Sequence, residues 1–362
     1  MNKKILVDMH VFDGKHQGTR TYLKGIYSSL IQKAENHHFF LVAMNIDNLK
    51  NEFGVHDNVS YVQLKYHNKF YRLLIELPFL IRKHNIDYAH FQYVSPLFKY
   101  CKYIITTHDI LFEQKEFKAF FPIKYRVING LFFRYSAKKA DVLLTVSEYS
   151  RKKISQIYNI PIDTIHVTPN AVENGFSKLD ASVAYPETAK IILYVSRVEP
   201  RKNHLILIRA FLELELHKKG YKLVLIGSHD FPGKELQEFI DNNTERLRRS
   251  IIWKKDISFE SIKHYYANCD LFVFPSFAEG FGIPVIEAMT FNRRIVISNH
   301  TAMKDFNLPL EFTFNPFDLE DLKVKIEQAL LNKISNQELV YQDIISKYKW
   351  DKSANIILNL IS

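Results

Sequence analysis

Short apolar runs alternate along this chain with longer stretches in which apolar residues return every three or four positions. Ile5–Val7 reads as a strand, and Thr21–Lys33 as an amphipathic helix with Tyr22, Ile26 and Leu30 on one face. Phe39–Met44 and Val59–Leu64 are further strands. Phe70–His84 has helical spacing, which Pro78 should disturb because proline removes a helical donor. Tyr88–Phe91, Tyr103–Thr107 and Val142–Val146 extend the set of strands. Continuously apolar strands are covered on both faces, and their alternation with helices predicts an open parallel α/β sheet.

The theme then repeats. Ile191–Val195, Lys222–Ile226, Ile251–Trp253, Leu271–Phe274 and Arg294–Ile297 read as strands. Helical patterns lie near 203–218, 234–246, 258–267, 284–291 and 318–332, and a last helix lies around Asn336–Leu360. Between the two sets, Pro169-Asn170-Ala171 and the polar stretch Glu173–Thr188, with Pro186, form the hinge candidate. The pattern predicts two doubly wound, Rossmann-like domains, 1–172 and 173–340, facing each other across a cleft. Ligands are expected beyond the carboxyl ends of their strands. The length of 362 residues fits two domains, since single cores stop growing at roughly 250–300 residues.

Composition adds exclusions. A hydrophobic content of 47% with 24% charged residues is that of a globular chain. Two cysteines, Cys101 and Cys269, are too few for a disulfide framework or a cysteine zinc site, which fits a reducing cytoplasm. Met-Asn-Lys-Lys leads directly into the first strand, without a signal-peptide pattern, and no run of about 18 apolar residues is present to span a membrane. The net charge of +10 is unevenly placed: residues 1–175 hold 24 Lys and Arg against 15 Asp and Glu, residues 176–362 hold 25 against 24. The stretch 117–140 has Lys118, Lys124, Arg126, Arg134, Lys138 and Lys139 and no acid, interleaved with Phe120, Phe121, Tyr125, Phe132, Phe133 and Tyr135. That mixture suits an anionic membrane surface or a lipid-phosphate acceptor. A core-facing helix with a solvated basic side would look the same. No nucleic-acid motif accompanies it, so no nucleic acid is expected as a partner.

The most informative chemistry lies in Pro275-Ser276-Phe277-Ala278-Glu279-Gly280-Phe281-Gly282-Ile283-Pro284-Val285-Ile286-Glu287. A strand runs into a glycine-bearing loop and then into a helix announced by Pro284. Gly280 and Gly282 allow close backbone approach to a ligand. The N–H groups of Phe281, Gly282 and Ile283 at the helix start favour oxygen-rich or anionic groups. Glu279 and Glu287 place one carboxylate in the loop and another in the helix. E-G-F-G-I-P-V-I-E-A-M resembles the E-x7-E element of family 4 glycosyltransferases, retaining enzymes of the GT-B fold. The resemblance implies that Glu279 holds donor-sugar hydroxyls and that Glu287 binds the nucleotide ribose.

Four more segments extend the resemblance over nearly the whole chain. Ser196-Arg197-Val198-Glu199-Pro200-Arg201-Lys202-Asn203 is similar to the family's G-R-x-x-x-x-K-N element, in which Arg197 and Lys202 neutralise the donor diphosphate. Such cations can stabilise charge developing on a leaving group. Thr106-Thr107-His108-Asp109 resembles its H-D element, which implies that His108 stands by the donor sugar and the acceptor. In Gly14-Lys15-His16-Gln17-Gly18-Thr19-Arg20, Gly18 matches the last glycine of a loop that closes over the diphosphate, and Arg20 is expected to add a phosphate contact. The segment around Trp350-Asp351-Lys352 resembles the C-terminal part, 341–362, that crosses back to the first domain. Ser196 and Ala171 stand where the family usually has glycine; Lys255 in place of a glycine near the nucleobase and Asn292-Arg293-Arg294 in place of G-x-P leave the base of the donor open.

The chain has no D-x-D triplet, H-E-x-x-H or P-loop motif, so neither a metal nor a cofactor is expected. The resemblance implies a metal-independent, retaining glycosyltransferase, similar to bacterial mannosyltransferases of O-antigen and capsule assembly. It would use a nucleotide-sugar donor, GDP-mannose first, and a saccharide or lipid-linked saccharide acceptor at the cytoplasmic membrane face. The alternatives are a UDP-sugar donor, a sugar-nucleotide epimerase of the same architecture, or a non-catalytic subunit. The intact Glu279, Glu287, Arg197, Lys202 and His108 argue against the last two.

Overall fold

The computed structural model describes residues 2–362, apart from 15–16, 174, 182–188, 230–232, 249 and 332–335. The middle of the loop before Gly18 and most of the hinge candidate, with Pro186, therefore lie outside the described residues. The chain divides into two compact units, Met1–Ala171 with Tyr348–Ser362, and Val172–Lys347.

In the first unit β1 (Lys4–Asp8), α1 (Gly18–Lys33), β2 (His38–Ala43), α2 (Ile46–Phe53) and β3 (Val59–Gln63) are followed by α3 (Lys69–Tyr71) and α4 (Leu77–Lys83). Then come β4 (Tyr88–Gln92), β5 (Lys102–Thr106), α5 (Ile123–Lys139), β6 (Val142–Thr145), α6 (Glu148–Tyr158) and β7 (Ile165–Val167). The sheet is parallel in the order β3-β2-β1-β4-β5-β6-β7. All five residues of β4 are buried, as a central strand requires. Pro78 acts as expected: the helix begun at Lys69 widens into a π-turn over Arg72–Glu76 before α4 carries the proline at its first turn. The wider turn accommodates the carbonyl that Pro78 cannot bond.

The second unit repeats the plan with β8 (Lys190–Val195), α7 (His204–Glu213), β9 (Tyr221–Ile226), α8 (Lys234–Asn242), α9 (Thr244–Arg248), β10 (Ile251–Lys254), α10 (Phe259–Asn268) and β11 (Leu271–Phe274). It continues with α11 (Ile283–Thr290), β12 (Ile295–Ser298), β13 (Thr313–Phe314), α12 (Leu319–Leu331) and α13 (Gln337–Lys347). Its order is β10-β9-β8-β11-β12-β13, again parallel. In each sheet the strand order reverses beside its first strand, between β1 and β4 and between β8 and β11, and the carboxyl ends at such a reversal form a ligand crevice.

The single helix expected around Asn336–Leu360 is two: α13 stops at Lys347, and α14 (Trp350–Ile361) packs on α1 in the first unit. Asn292, which stands in a glycine position of the family pattern, adopts φ 52°, a left-handed conformation that asparagine tolerates. Arg294 belongs to the loop rather than to β12, and its Nη1 donates to the carbonyls of Ala329 and Leu330, near the end of α12.

Candidate active site

The reversal in the second sheet brings two loops together. The loop after β8 is extended at Glu199 and then tightens into one 3-10 turn, Pro200–Lys202, before Asn203 (φ 55°) starts α7. The loop after β11 runs beside it, with Phe277 N–H donating to the Arg201 carbonyl at 2.9 Å. Their side chains form one line of alternating charge. Arg197 Nη2 is 2.8 Å from Glu199 Oε1, and Arg201 Nε is 3.0 Å from Glu199 Oε2. Arg201 Nη1 is 3.2 Å from Glu279 Oε2, and Lys202 Nζ is 2.6 Å from Glu279 Oε1. Exposure falls along the line, from 49% at Arg197 to 12% at Lys202 and 9% at Glu279. Three cations against two carboxylates leave a net positive charge at the strand ends, which suits an anionic ligand.

The charges set one another's ionisation. Burial alone would raise the Glu279 carboxyl, but Lys202 and Arg201 hold it below the usual carboxylate range. Burial and Arg201 push the Lys202 ammonium down, against the pull of Glu279. Glu279 N–H donates to Thr301 Oγ1 at 2.9 Å, which fixes the loop behind the carboxylate. Eight residues on, Glu287 accepts from Tyr266 OH at 2.7 Å. Burial pushes its carboxyl up to about 7; the Tyr266 hydroxyl opposes this and Glu173 adds to it.

Gly282 also answers a demand of the backbone. It has φ 134°, and a Cβ there would meet Met303 Cε at 2.4 Å. The positive-φ backbone therefore favours glycine here with or without a ligand, whereas Met303 Cε is the end of a flexible side chain that can move aside. Phe281 is a core residue, edge-on to Phe306 with 5.6 Å between ring centroids. Ile283 is partly buried at the start of α11.

His108 and Gly18 belong to the first unit. Gly18 is the exposed first residue of α1, and a Cβ there would meet nothing within 4 Å. Four residues on, Tyr22 lies edge-on to the His108 ring, 4.9 Å between centroids. His108 itself is buried beyond the end of β5, where burial pushes its imidazole down to about 3 and keeps it neutral. Arg20 is engaged within the unit: its guanidinium lies over Phe12 at 4.9 Å and its Nη2 pairs with Glu52 at 2.6 Å, joining α1 to α2.

Three features escaped the sequence reading. Arg201, not Arg197, shares Glu279 with Lys202; the charge alternation Arg197, Glu199, Arg201 was its visible signal, since alternate residues of an extended segment share a side. At the end of β1, Asp8 is buried against His10 (3.0 Å) and Arg72 (3.5 Å); burial alone would raise its carboxyl, but these partners hold it down at about 2. Third, His90 and Gln92 stand inside the apolar run of β4 and connect to His108.

Two family models divide the chain between them. The one described as "Glycosyltransferase Family 4" matches residues 18–175, and "Glycosyl transferases group 1" matches residues 176–344. The chain is similar to O-antigen chain mannosyltransferase B of Escherichia coli, 27% identical over 299 residues that cover 76% of this chain and 77% of that one. It is also 27% identical over 234 residues to the serotype-specific mannosyltransferase WbdA of Escherichia coli, covering 61% of this chain but 29% of WbdA. Among solved structures, sucrose-phosphate synthase from Thermosynechococcus elongatus superposes with a TM-score of 0.76 at 16% identity, covering 99% of this chain and 98% of that one. This last likeness concerns the fold alone.

Proposed function

The chain belongs to the family 4 glycosyltransferases, with the two Rossmann-like units of the GT-B fold, and we propose that it moves mannose from GDP-mannose onto a saccharide or lipid-linked saccharide in surface-polysaccharide assembly. The observation that carries the reading is the charge line Arg197–Glu199–Arg201–Glu279–Lys202 at the strand reversal of the second unit. Arg197 is exposed enough to swing from Glu199 onto a diphosphate, and Lys202 adds a second cation beside it. A carboxylate has about four acceptor positions, so Glu279 can receive sugar hydroxyls while keeping Lys202 and Arg201. Glu287 holds the ribose, the backbone of Phe281 to Ile283 faces the sugar, Gly18 gives the diphosphate room, and His108 lines the acceptor side. The mannosyl assignment is supported by the likeness to mannosyltransferases.

In the proposed reaction the bond from C1 to the diphosphate oxygen breaks while the acceptor oxygen bonds C1 on the same face. The acceptor proton passes to the departing phosphate oxygen. Configuration is retained, and Arg197 and Lys202 supply the positive charge that a metal would otherwise supply. The test is proton NMR of the product formed in EDTA. The product should keep the donor's anomeric configuration and form at undiminished turnover; inversion, or activity restored only by Mn²⁺, contradicts this mechanism.

Nucleotide binding should depend on pH through Glu287. A ribose hydroxyl donates to the carboxylate form, so binding should tighten as pH rises through about 7 and release a proton. Stability carries the opposite sign: a carboxyl raised in the folded chain stabilises it fully below the ordinary value of 4.5, and that stabilisation is lost as pH rises through about 7. Calorimetry across this range checks both, and a Glu287→Gln protein that keeps the wild-type pH profile would refute the role.

The stretch 117–140 is proposed to rest on an anionic bilayer. Its support is different from the aromatic pattern: Phe133 is buried, while α5 exposes Ile123, Tyr125, Val127, Ile128 and Leu131 beside Lys124. No described helix is long and apolar enough to cross a membrane. Flotation with phosphatidylglycerol vesicles tests the contact; failure of the wild type to float at low salt would refute it.

A further inference from the structure

The strand ends of the first unit hold more buried polar groups than this reaction uses. His90 and Gln92 point to one face of β4, and Gln92 lies in register with Thr106 of β5. Their contacts form one chain. His108 Nε2 is 2.7 Å from Gln92 Oε1, Gln92 Nε2 is 3.1 Å from His90 Nε2, and His90 Nδ1 is 2.7 Å from Tyr27 OH. Thr106 Oγ1 stands 2.8 Å from His90 Nε2 and 3.3 Å from Tyr22 OH, which reaches Thr168 Oγ1 at 2.7 Å.

An amide has fixed roles: its oxygen accepts and its nitrogen donates. Gln92 therefore dictates where its neighbours keep their protons. His108 must carry its proton on Nε2 to donate to Gln92 Oε1. His90 must leave Nε2 bare to accept from the amide, and so donates to Tyr27 through Nδ1. Burial keeps both rings neutral, each held at about 3. His108 Nδ1 has no partner among the described residues, and it is not one of their sealed, unpaired atoms as His204 Nδ1 is. Tyr93, whose ring packs on His108 at 5.2 Å, has φ 62°, a strained conformation for a tyrosine.

We propose that Gln92 is a positioning residue for His108: its amide oxygen keeps the ring proton on Nε2, so that the Nδ1 lone pair faces a hydroxyl of the bound saccharide. The proposal rests on the reading that His108 touches saccharide. Its test is two-bond proton–nitrogen NMR of the ¹⁵N-histidine-labelled full chain, with His108 identified by its loss in His108→Ala. Wild type should show a protonated Nε2 and a bare Nδ1. Gln92→Met, which removes donor and acceptor together, should give mixed tautomers and lose about 100-fold in kcat with donor KM within about twofold. Gln92→Glu keeps an accepting oxygen and should keep Nε2 protonated. A protonated Nδ1 with bare Nε2 in the wild type, or a Gln92→Met protein with unchanged tautomer, overturns the proposal. If Gln92→Met does not fold, the wild-type and Gln92→Glu tautomers still decide. Normal turnover in His108→Ala would instead defeat the underlying reading of His108, and the wild-type tautomer would separate the two failures.

Discussion

Glu279→Ala is expected to end transfer and to weaken the second unit at the same time. The carboxylate is the shared counter-charge of Lys202 at 2.6 Å and Arg201 at 3.2 Å, and the three side chains are largely buried. Removing it leaves two like charges facing each other out of water, which costs about 3–5 kcal/mol where one partner of a buried pair is lost. Turnover should fall on the order of 1000-fold, the scale for losing a preorganised polar contact to the reacting group. Urea unfolding and initial rates separate the effects when Glu279→Gln is combined with Lys202→Met. That double variant has no stranded pair and should recover most of the stability but none of the activity. Its acid behaviour should differ as well. Glu279 is held below the ordinary carboxylate value, so its contribution is present above 4.5 and is lost as pH falls through the folded value. The alanine variant lacks that loss. Activity within about tenfold of wild type in Glu279→Ala would contradict the assignment.

Gly25→Ala should release the C-terminal helix. A Cβ on Gly25 would stand 2.0 Å from Trp350 Cε2 and 2.2 Å from Cδ2, where an indole cannot yield without moving α14. That helix is tied to the first unit by Ser29 Oγ donating to Asp351 Oδ1 at 2.6 Å and by Ser353 Oγ donating to the Pro169 carbonyl at 2.9 Å. Overpacking of this kind costs about 1–3 kcal/mol, and more where a ring has nowhere to go. The chain has two tryptophans, so Trp350 fluorescence in a Trp253→Phe background reports the displacement directly. An unshifted spectrum and an unchanged melting temperature would mean that the groove at Gly25 is not what seats α14.

Much of this arrangement is written locally and some of it is not. Apolar runs such as Leu271–Phe274 mark strands because both faces of a parallel sheet are covered. Ile165–Val167 and Thr313–Phe314 are too short for any period to show. Glu279 and Glu287 stand out within one motif, but the pairing of Glu279 with Arg201 is made by the adjacency of β8 and β11, between residues 78 apart in sequence. Gly282 drew notice for ligand approach, and its φ of 134° adds a backbone requirement that the sequence does not show. Along α5 the aromatic residues were conspicuous, yet the exposed ridge is largely aliphatic, because helix rotation against the sheet decides which side faces out. His90 and Gln92 were hidden differently. A polar residue inside a buried strand is itself a signal, since it must find a partner; the partner, His108, comes from the end of another strand.

The most direct test of the account is thermal stabilisation and slow donor hydrolysis across a panel of nucleotide sugars, compared between the wild type and Arg197→Ala/Lys202→Ala. A ligand that binds the folded chain raises its melting temperature by mass action. GDP and GDP-mannose should stabilise the wild type, mannose should be released, and both responses should vanish in the double variant. Preference for UDP sugars would remove the mannosyl assignment, and a double variant that still binds nucleotide as the wild type does would contradict the central claim that these strand ends receive the donor diphosphate.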